Sequence, residues 1–247
     1  MDNIGYLSLS MAAMMERATD VTANNIANAN TDGFRAAKVS FDQMVTDSGD
    51  WDDLSEMAYS LDRGTYNDMT AGPVLFTGGN LDLALQGEAY FAFRRQDGDI
   101  AFGRNGSFTL TAEGDLATAA GDLVLDAGGN AVNIPPDAGS LAIAGDGTIS
   151  TEAGVVLGQI GAFSAPDIAQ WQPLDGTMFA PREGNPALTL SLDATISQGY
   201  VEKSNVEPVL QMTQLISRQR AYERAMSMAE SANDLRSETL QRLGRSS

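Results

Sequence analysis

From Asn3 to Asn30, apolar and small residues recur at Ile4, Leu7, Met11, Met14, Ala18 and Val21. The alternating steps of three and four then land on Asn25 and Asn28. This spacing predicts one long amphipathic helix with a heptad-like seam, about 42 Å long at ~1.5 Å per residue. Asn30-Thr31-Asp32-Gly33 supplies its stop, with Gly33 able to turn left-handed and Phe34 folding back onto the helix or a neighbour. A second helical stripe runs through Val209, Met212, Leu215, Ile216, Tyr222, Met226, Ala229, Leu240 and Leu243, with Gln219 and Asn233 in its seam. Its start has two readings. Ser204-Asn205-Val206-Glu207 fits a capping box, whereas Pro208 disfavours helical geometry at Glu207 and suits the first helical position.

Between the helices the period changes to two. Phe91/Phe93, Ile100/Phe102 and Phe108/Leu110 alternate with polar residues. Turn pairs punctuate them at Asp97-Gly98, Asn105-Gly106, Glu113-Gly114, Ala120-Gly121 and Gly128-Gly129, seven or eight residues apart. Asp146-Gly147 and Ala153-Gly154 continue the rhythm, and Ala187–Ser197 reads as a return strand. The expected class is α+β: a mainly-β middle domain, an irregular sandwich or barrel, flanked by long N- and C-terminal helices that pair as a coiled coil. Residues 1–45 form the first helix and its turn, 46–80 an extended acidic linker, 81–200 the β-rich domain and 201–247 the second helix.

Both stripes are thin and rich in Met, Ala and amides. They suit a helical pair packed on the middle domain, and equally two helices that pair with each other and then with other chains. Amides in a seam fix register, and flexible methionines accept slightly different neighbours. Asn24, Asn25 and Asn28 are the candidates for register-setting contacts.

Charge separates the regions again. The chain has 33 acids and 15 bases, for a net charge of −18. Residues 46–200 carry 22 of those acids and only five of the bases. This acidity argues against nucleic acid and anionic membrane surfaces as partners, because phosphate contacts need clustered Lys and Arg. The N-terminus has no basic n-region, so a cleaved secretory signal is not expected. No apolar run is long enough to span a bilayer.

Chemistry is hard to place on this chain. Without cysteine or histidine there is no thiol nucleophile and no imidazole base or metal ligand. Asp47-Ser48-Gly49-Asp50-Trp51-Asp52-Asp53 resembles a calcium loop, but glycine misses the sixth position and Ala58 stands where a bidentate glutamate belongs. Asp97 and Asp99 flank a tight Gly98 turn, an ordinary place for acids rather than a glycosidase pair. Phosphate-loop, dinucleotide and serine-hydrolase motifs are missing. No catalytic, metal-binding or cofactor-binding residue is expected.

Three separated blocks then carry a resemblance. Ala23-Asn24-Asn25-Ile26-Ala27-Asn28-Ala29-Asn30-Thr31-Asp32-Gly33-Phe34-Arg35 resembles the N-terminal signature of bacterial flagellar rod and hook proteins. Ser204-Asn205-Val206, with Met212 and Arg220-Ala221-Tyr222-Glu223, resembles their C-terminal signature. Gly79-Asn80-Leu81-Asp82-Leu83-Ala84-Leu85, Gly87-Glu88-Ala89-Tyr90-Phe91 and Arg104-Asn105-Gly106-Ser107-Phe108 are similar to their middle. Pro208-Val209 after Ser-Asn-Val resembles the proximal-rod type more than the distal-rod or hook types. The unusually acidic middle and Ala36-Ala37 after Arg35 depart from the common pattern.

The resemblance implies a structural subunit of the periplasmic rod, exported uncleaved through the flagellar type III apparatus. It implies other rod subunits, or further copies of the chain, as partners, with no membrane insertion. The expected assembly residues are Ile4, Leu7, Met11, Met14, Val21, Asn24, Asn25, Asn28, Gly33, Phe34, Ser204, Asn205, Val206, Met212, Ile216, Tyr222 and Met226. Residues 1–33 and 208–243 are expected to order only on assembly, because a thin-seamed helix buries too little alone. The competing class is a secreted β-type binding module or carboxylate hydrolase, whose activity would survive trimming of both ends.

Overall fold

The computed structural model describes residues 2–46, 57–174 and 177–245. The acidic run from Asp47 to Glu56, with its calcium-loop pattern, lies outside them. Two long helices flank a β-rich middle, as the periodicities predict: α1 spans Asp2–Ala27 and α2 spans Pro208–Arg245. Pro208 is the first helical residue, where its missing N–H costs nothing. Between the helices run β1 (Ala37–Thr46), β2 (Met57–Asn67), β3 (Val74–Phe76), β4 (Leu83–Gln86), β5 (Phe91–Arg94), β6 (Ile100–Gly103), β7 (Thr109–Leu110) and β8 (Leu116–Ala117). They are followed by β9 (Leu123–Val124), β10 (Leu141–Ile143), β11 (Thr148–Thr151), β12 (Val156–Gln159), β13 (Gln172–Leu174), β14 (Met178–Ala180), β15 (Thr195–Gln198) and β16 (Tyr200–Glu202).

The chain divides into two compact units. One comprises residues 1–27, 37–66 and 207–247, and the other 28–36 and 67–206. The turn after α1 therefore groups with the β-rich unit, while β1 and β2 form a two-stranded ribbon within the helical one. Strand β2 begins inside the stretch read as a linker, where Met57, Tyr59 and Leu61 supply alternation that the neighbouring acids obscure.

In the β-rich unit, seven antiparallel strands run in the order β13-β14-β6-β5-β9-β8-β7. Alternation sorts their side chains onto two faces. Phe91, Phe93, Ala101 and Met178 point into a core shared with Leu83, Leu85, Ile149 and Ile196. Ala92, Phe102 and Phe179 point the other way, onto Phe163, Leu125 and Ile168. The central strands are thus covered on both sides. Strands β10, β11 and β12 form a separate three-stranded sheet.

The turn glycines behave as the sequence suggests, with one exception. Gly98, Gly114, Gly121, Gly129, Gly147 and Gly154 all have positive φ. Gly106 marks a close approach instead: a Cβ there would stand 1.7 Å from the Leu83 carbonyl oxygen. The expected return strand is shorter than predicted. Only Thr195–Gln198 is a strand, pairing with β4, while Leu190 makes a single bridge to Phe163. Among the described residues, no helix is long and apolar enough to cross a membrane.

Candidate assembly interface and the buried clasp

Within the helical unit, α1 and α2 pack against each other in antiparallel fashion. Asn25 reaches Gln211, and Arg218 donates to the Ala18 carbonyl at 2.7 Å and to the Thr22 hydroxyl. Each pair of positions sums to about 236–240, so the same register sets Ala12 opposite Ala225. Among the described side chains, the buried positions of α1 are Ser8, Ala12, Ala18, Thr22 and Asn25, and Ala225 is buried on α2. The contact is therefore lined by small and polar side chains.

The expected seam is displaced along its first half. Leu7 and Met11 are 49% and 44% exposed, while Ser8 and Ala12, one position on, are buried. Small side chains let two helical backbones approach closely, and the larger apolar ones are left outside. Met14 and Val21 are half-buried and Asn24 is exposed. The side chain of Ile4 is outside the description. On α2, Met212 and Ile216 are exposed, and Tyr222 and Met226 are half-buried. Desolvation lowers the Arg218 pKa. Its partners here are neutral oxygens.

Asn25 has a second role. Its amide donates to the Ala37 carbonyl at 2.8 Å and accepts from the Ala37 N–H at 2.9 Å. One side chain thereby imitates a strand neighbour for the first residue of β1. Asn28 accepts the Thr31 hydroxyl at 3.2 Å within the turn.

The other signature residues converge in the β-rich unit. Gly33 adopts φ +72°, and a Cβ there would stand 2.2 Å from the Asn105 nitrogen. Its N–H donates to the Glu202 carbonyl at 2.8 Å. Phe34, Ala36 and Val206 form a small apolar cluster with Ala29. Asn205 accepts the Ala36 N–H at 2.7 Å and donates to the carbonyls of Asp68 and Thr70. Ser204 accepts the Val206 N–H. Lys203 pairs with Asp32 at 2.6 Å. Gly33, Phe34, Ser204 and Val206 are buried, and Asn205 is half-buried, all within the chain's own fold.

At the centre lies an ionic triad that the sequence reading did not single out. The Glu202 carboxylate receives Arg35 at 2.7 Å and Arg104 at 3.3 Å, one guanidinium on each oxygen. The Arg35 and Glu202 side chains are each 1% exposed. Arg35 also donates to the Thr70 carbonyl at 2.5 Å, and Arg104 to the carbonyls of Leu85 and Gly87. The Gly72 N–H donates to Glu202 at 3.0 Å. Arg104 lies 5.0 Å over the Tyr90 ring.

Two cations on one buried carboxylate leave an excess positive charge. Desolvation lowers the Arg104 pKa, opposed chiefly by Glu202, and burial raises that of Tyr90. Arg35 Nε and Arg104 Nε have no hydrogen-bond partner among the described residues. Four segments meet at Glu202: the turn after α1, the stretch before β3, the β4–β6 region and β16. Arg35 and Arg104 were visible in the signature blocks. Glu202 lies just before the Ser204-Asn205-Val206 signature, but nothing in the sequence marks it as their partner.

Comparison with known proteins follows the same geography. Residues 11–35 match a model described as flagella basal body rod protein, and residues 84–151 one described as flagellar hook protein FlgE/F/G D1 domain. Residues 197–242 match a model described as flagellar basal body rod FlgEFG protein C-terminal. The chain is 36% identical to a flagellar basal-body rod protein FlgF of Caulobacter vibrioides, covering 99% of both chains. It is 34% identical to a Mesorhizobium japonicum FlgF, covering 97% of both. Against an Agrobacterium fabrum FlgG the identity is 29%, over 88% of this chain and 90% of the other.

Proposed function

Since the chain belongs to the bacterial flagellar basal-body rod protein family, we propose that it polymerises through its two terminal helices as a proximal-rod subunit that transmits torque across the periplasm. It is a structural protein and not an enzyme. The near full-length match to FlgF proteins carries the proximal-rod reading. The surface of the helical unit supports polymerisation. Leu7 and Met11 on α1, with Val209, Met212 and Ile216 on α2, are large, apolar and exposed in a single chain. Large apolar side chains left in solvent along both helices suit an interface.

In this reading the helix pair is a coiled coil in the inner wall of the rod, and the β-rich unit is an irregular sandwich. The neighbours are other rod subunits or further copies of the chain, and the subunit leaves the cell uncleaved through the flagellar type III export apparatus. The helical ends order on assembly, because Ser8, Ala12, Ala18 and Ala225 bury little area between them.

Isolation of intact basal bodies tests the reading: the chain should be a stoichiometric rod component. Its absence from rods of a motile cell would sink it. Trimming 1–27 or 208–245 should abolish complementation of motility in a strain lacking the gene. Circular dichroism of the free chain should show less helix than these two segments would contribute if fully folded. The full helix content would refute ordering on assembly and leave the rod assignment standing.

A further inference from the structure

The outward faces of α1 and α2 carry matching charge patterns. Residues 16–20 of α1 read Glu-Arg-Ala-Thr-Asp, and residues 220–224 of α2 read Arg-Ala-Tyr-Glu-Arg. Laid antiparallel, Glu16 meets Arg224, Arg17 meets Glu223 and Asp20 meets Arg220, so that each charge faces its opposite. Glu16, Arg17, Asp20, Arg220, Glu223 and Arg224 are all exposed. Helical geometry places each trio opposite the buried face of its own helix, which holds Ala18 and Thr22 on α1 and Ala225 on α2. The two trios therefore cannot meet within one subunit.

Each helix also holds a like-charged pair four residues apart, Glu16 with Asp20 and Arg220 with Arg224. Such pairs weaken an isolated helix and are relieved by opposite charge from a neighbour.

We propose that the outer face of α1 docks on the outer face of α2 of a second copy, with Glu16 against Arg224 and Asp20 against Arg220. This deepens the reading of the chain as a polymerising subunit and rests on it. Within one subunit the helices meet at positions summing to 236–240 (Asn25 with Gln211, Ala18 and Thr22 with Arg218). The proposed contact sums to 240. Both are antiparallel, so copies in the same orientation satisfy the second contact without a two-fold flip. The offset of at most four residues sets neighbouring copies within about 6 Å of one another along the helix direction at ~1.5 Å per residue. Such a contact is heterologous, and it propagates.

Charge exchange and disulfide trapping test the register on the full-length chain. One variant carries Glu16→Arg, Arg17→Glu and Asp20→Arg; the other carries Arg220→Glu, Glu223→Arg and Arg224→Glu. Each alone should lose self-association in sedimentation by at least tenfold in concentration. A one-to-one mixture should recover it, because reversed faces then meet reversed faces. The chain has no native cysteine, so trapping is clean. Ala13→Cys mixed with Ser227→Cys should form an inter-chain disulfide, and Ala13→Cys with Ser217→Cys should not. Preferential trapping with Ser217→Cys, or failure of the mixture to recover, overturns the register while leaving polymerisation intact. A wild-type chain that stays monomeric at every concentration overturns the self-contact. Presence of that chain in purified rods would then keep the rod reading and assign the neighbour to another subunit.

Discussion

The two units are held together by opposite means. The β-rich unit packs Phe91, Phe93, Phe102, Phe163 and Phe179 onto both faces of one sheet and closes its base with a three-residue ionic knot. The helical unit brings Ala, Ser and Thr together and leaves Leu7, Met11, Met212 and Ile216 in solvent. A fully buried large apolar side chain stabilises by roughly 1.5–3 kcal/mol and an alanine by much less. The first unit therefore carries its own core, whereas the second buries much less, which suits the proposed completion by neighbours.

The largest expected break falls on the knot. Glu202→Gln leaves two buried guanidinium groups without a counter-charge and should cost about 3–5 kcal/mol in urea denaturation of the β-rich unit. A cost under ~1 kcal/mol would mean the triad contributes little. Gly33→Ala must adopt a positive φ and press a methyl group against the Asn105 backbone, for a loss of about 2 kcal/mol or more in the same assay.

Smaller changes probe the helices. Ala225→Leu wedges the pair apart at a buried position and should cost about 1–3 kcal/mol of helix stability in the assembled chain, read by circular dichroism of assembled subunits, with the β-rich signal unmoved. Ile216→Ser should leave stability within about 0.5 kcal/mol, because the side chain is already 54% exposed, yet impair motility. Normal swimming by that variant would detach the exposed face from assembly.

The smallest effect is a pH dependence in the β-rich unit. The backbone N–H and then the hydroxyl of Thr148 donate to Asp146 and hold its carboxyl below the usual range. The resulting stability is present above the ordinary carboxylate pKa and is lost as pH falls through the lowered one. Asp146→Asn should flatten that acid limb slightly, measured as the urea midpoint at neutral and acid pH. An unchanged limb would show that the turn is indifferent to the charge.

Periodicity located both helices to within three residues at each end and placed the turn glycines, because those signals depend on local geometry. It missed the direction of the α1 seam, since Leu7 and Ser8 differ by one position and only a partner helix decides which faces inward. Gly106 read as a turn because a glycine after asparagine looks the same whether it bends the chain or admits a neighbour's carbonyl. Glu202 stayed hidden for the same reason. Its partners Arg35 and Arg104 are distant in sequence, and nothing local distinguishes it from the other acids.

The clasp joins residues far apart along the chain: the Ala36 N–H and its acceptor Asn205 are 169 positions apart. Bringing such distant points together carries a closure entropy that rises only logarithmically with the enclosed length, by about 0.6 kcal/mol for each doubling. Once the two flanks are tied, the material between them can lengthen or shorten at almost no thermodynamic penalty. With its flanks held by the knot at Glu202, the enclosed β-rich stretch should accept insertions in its exposed loops at little closure cost.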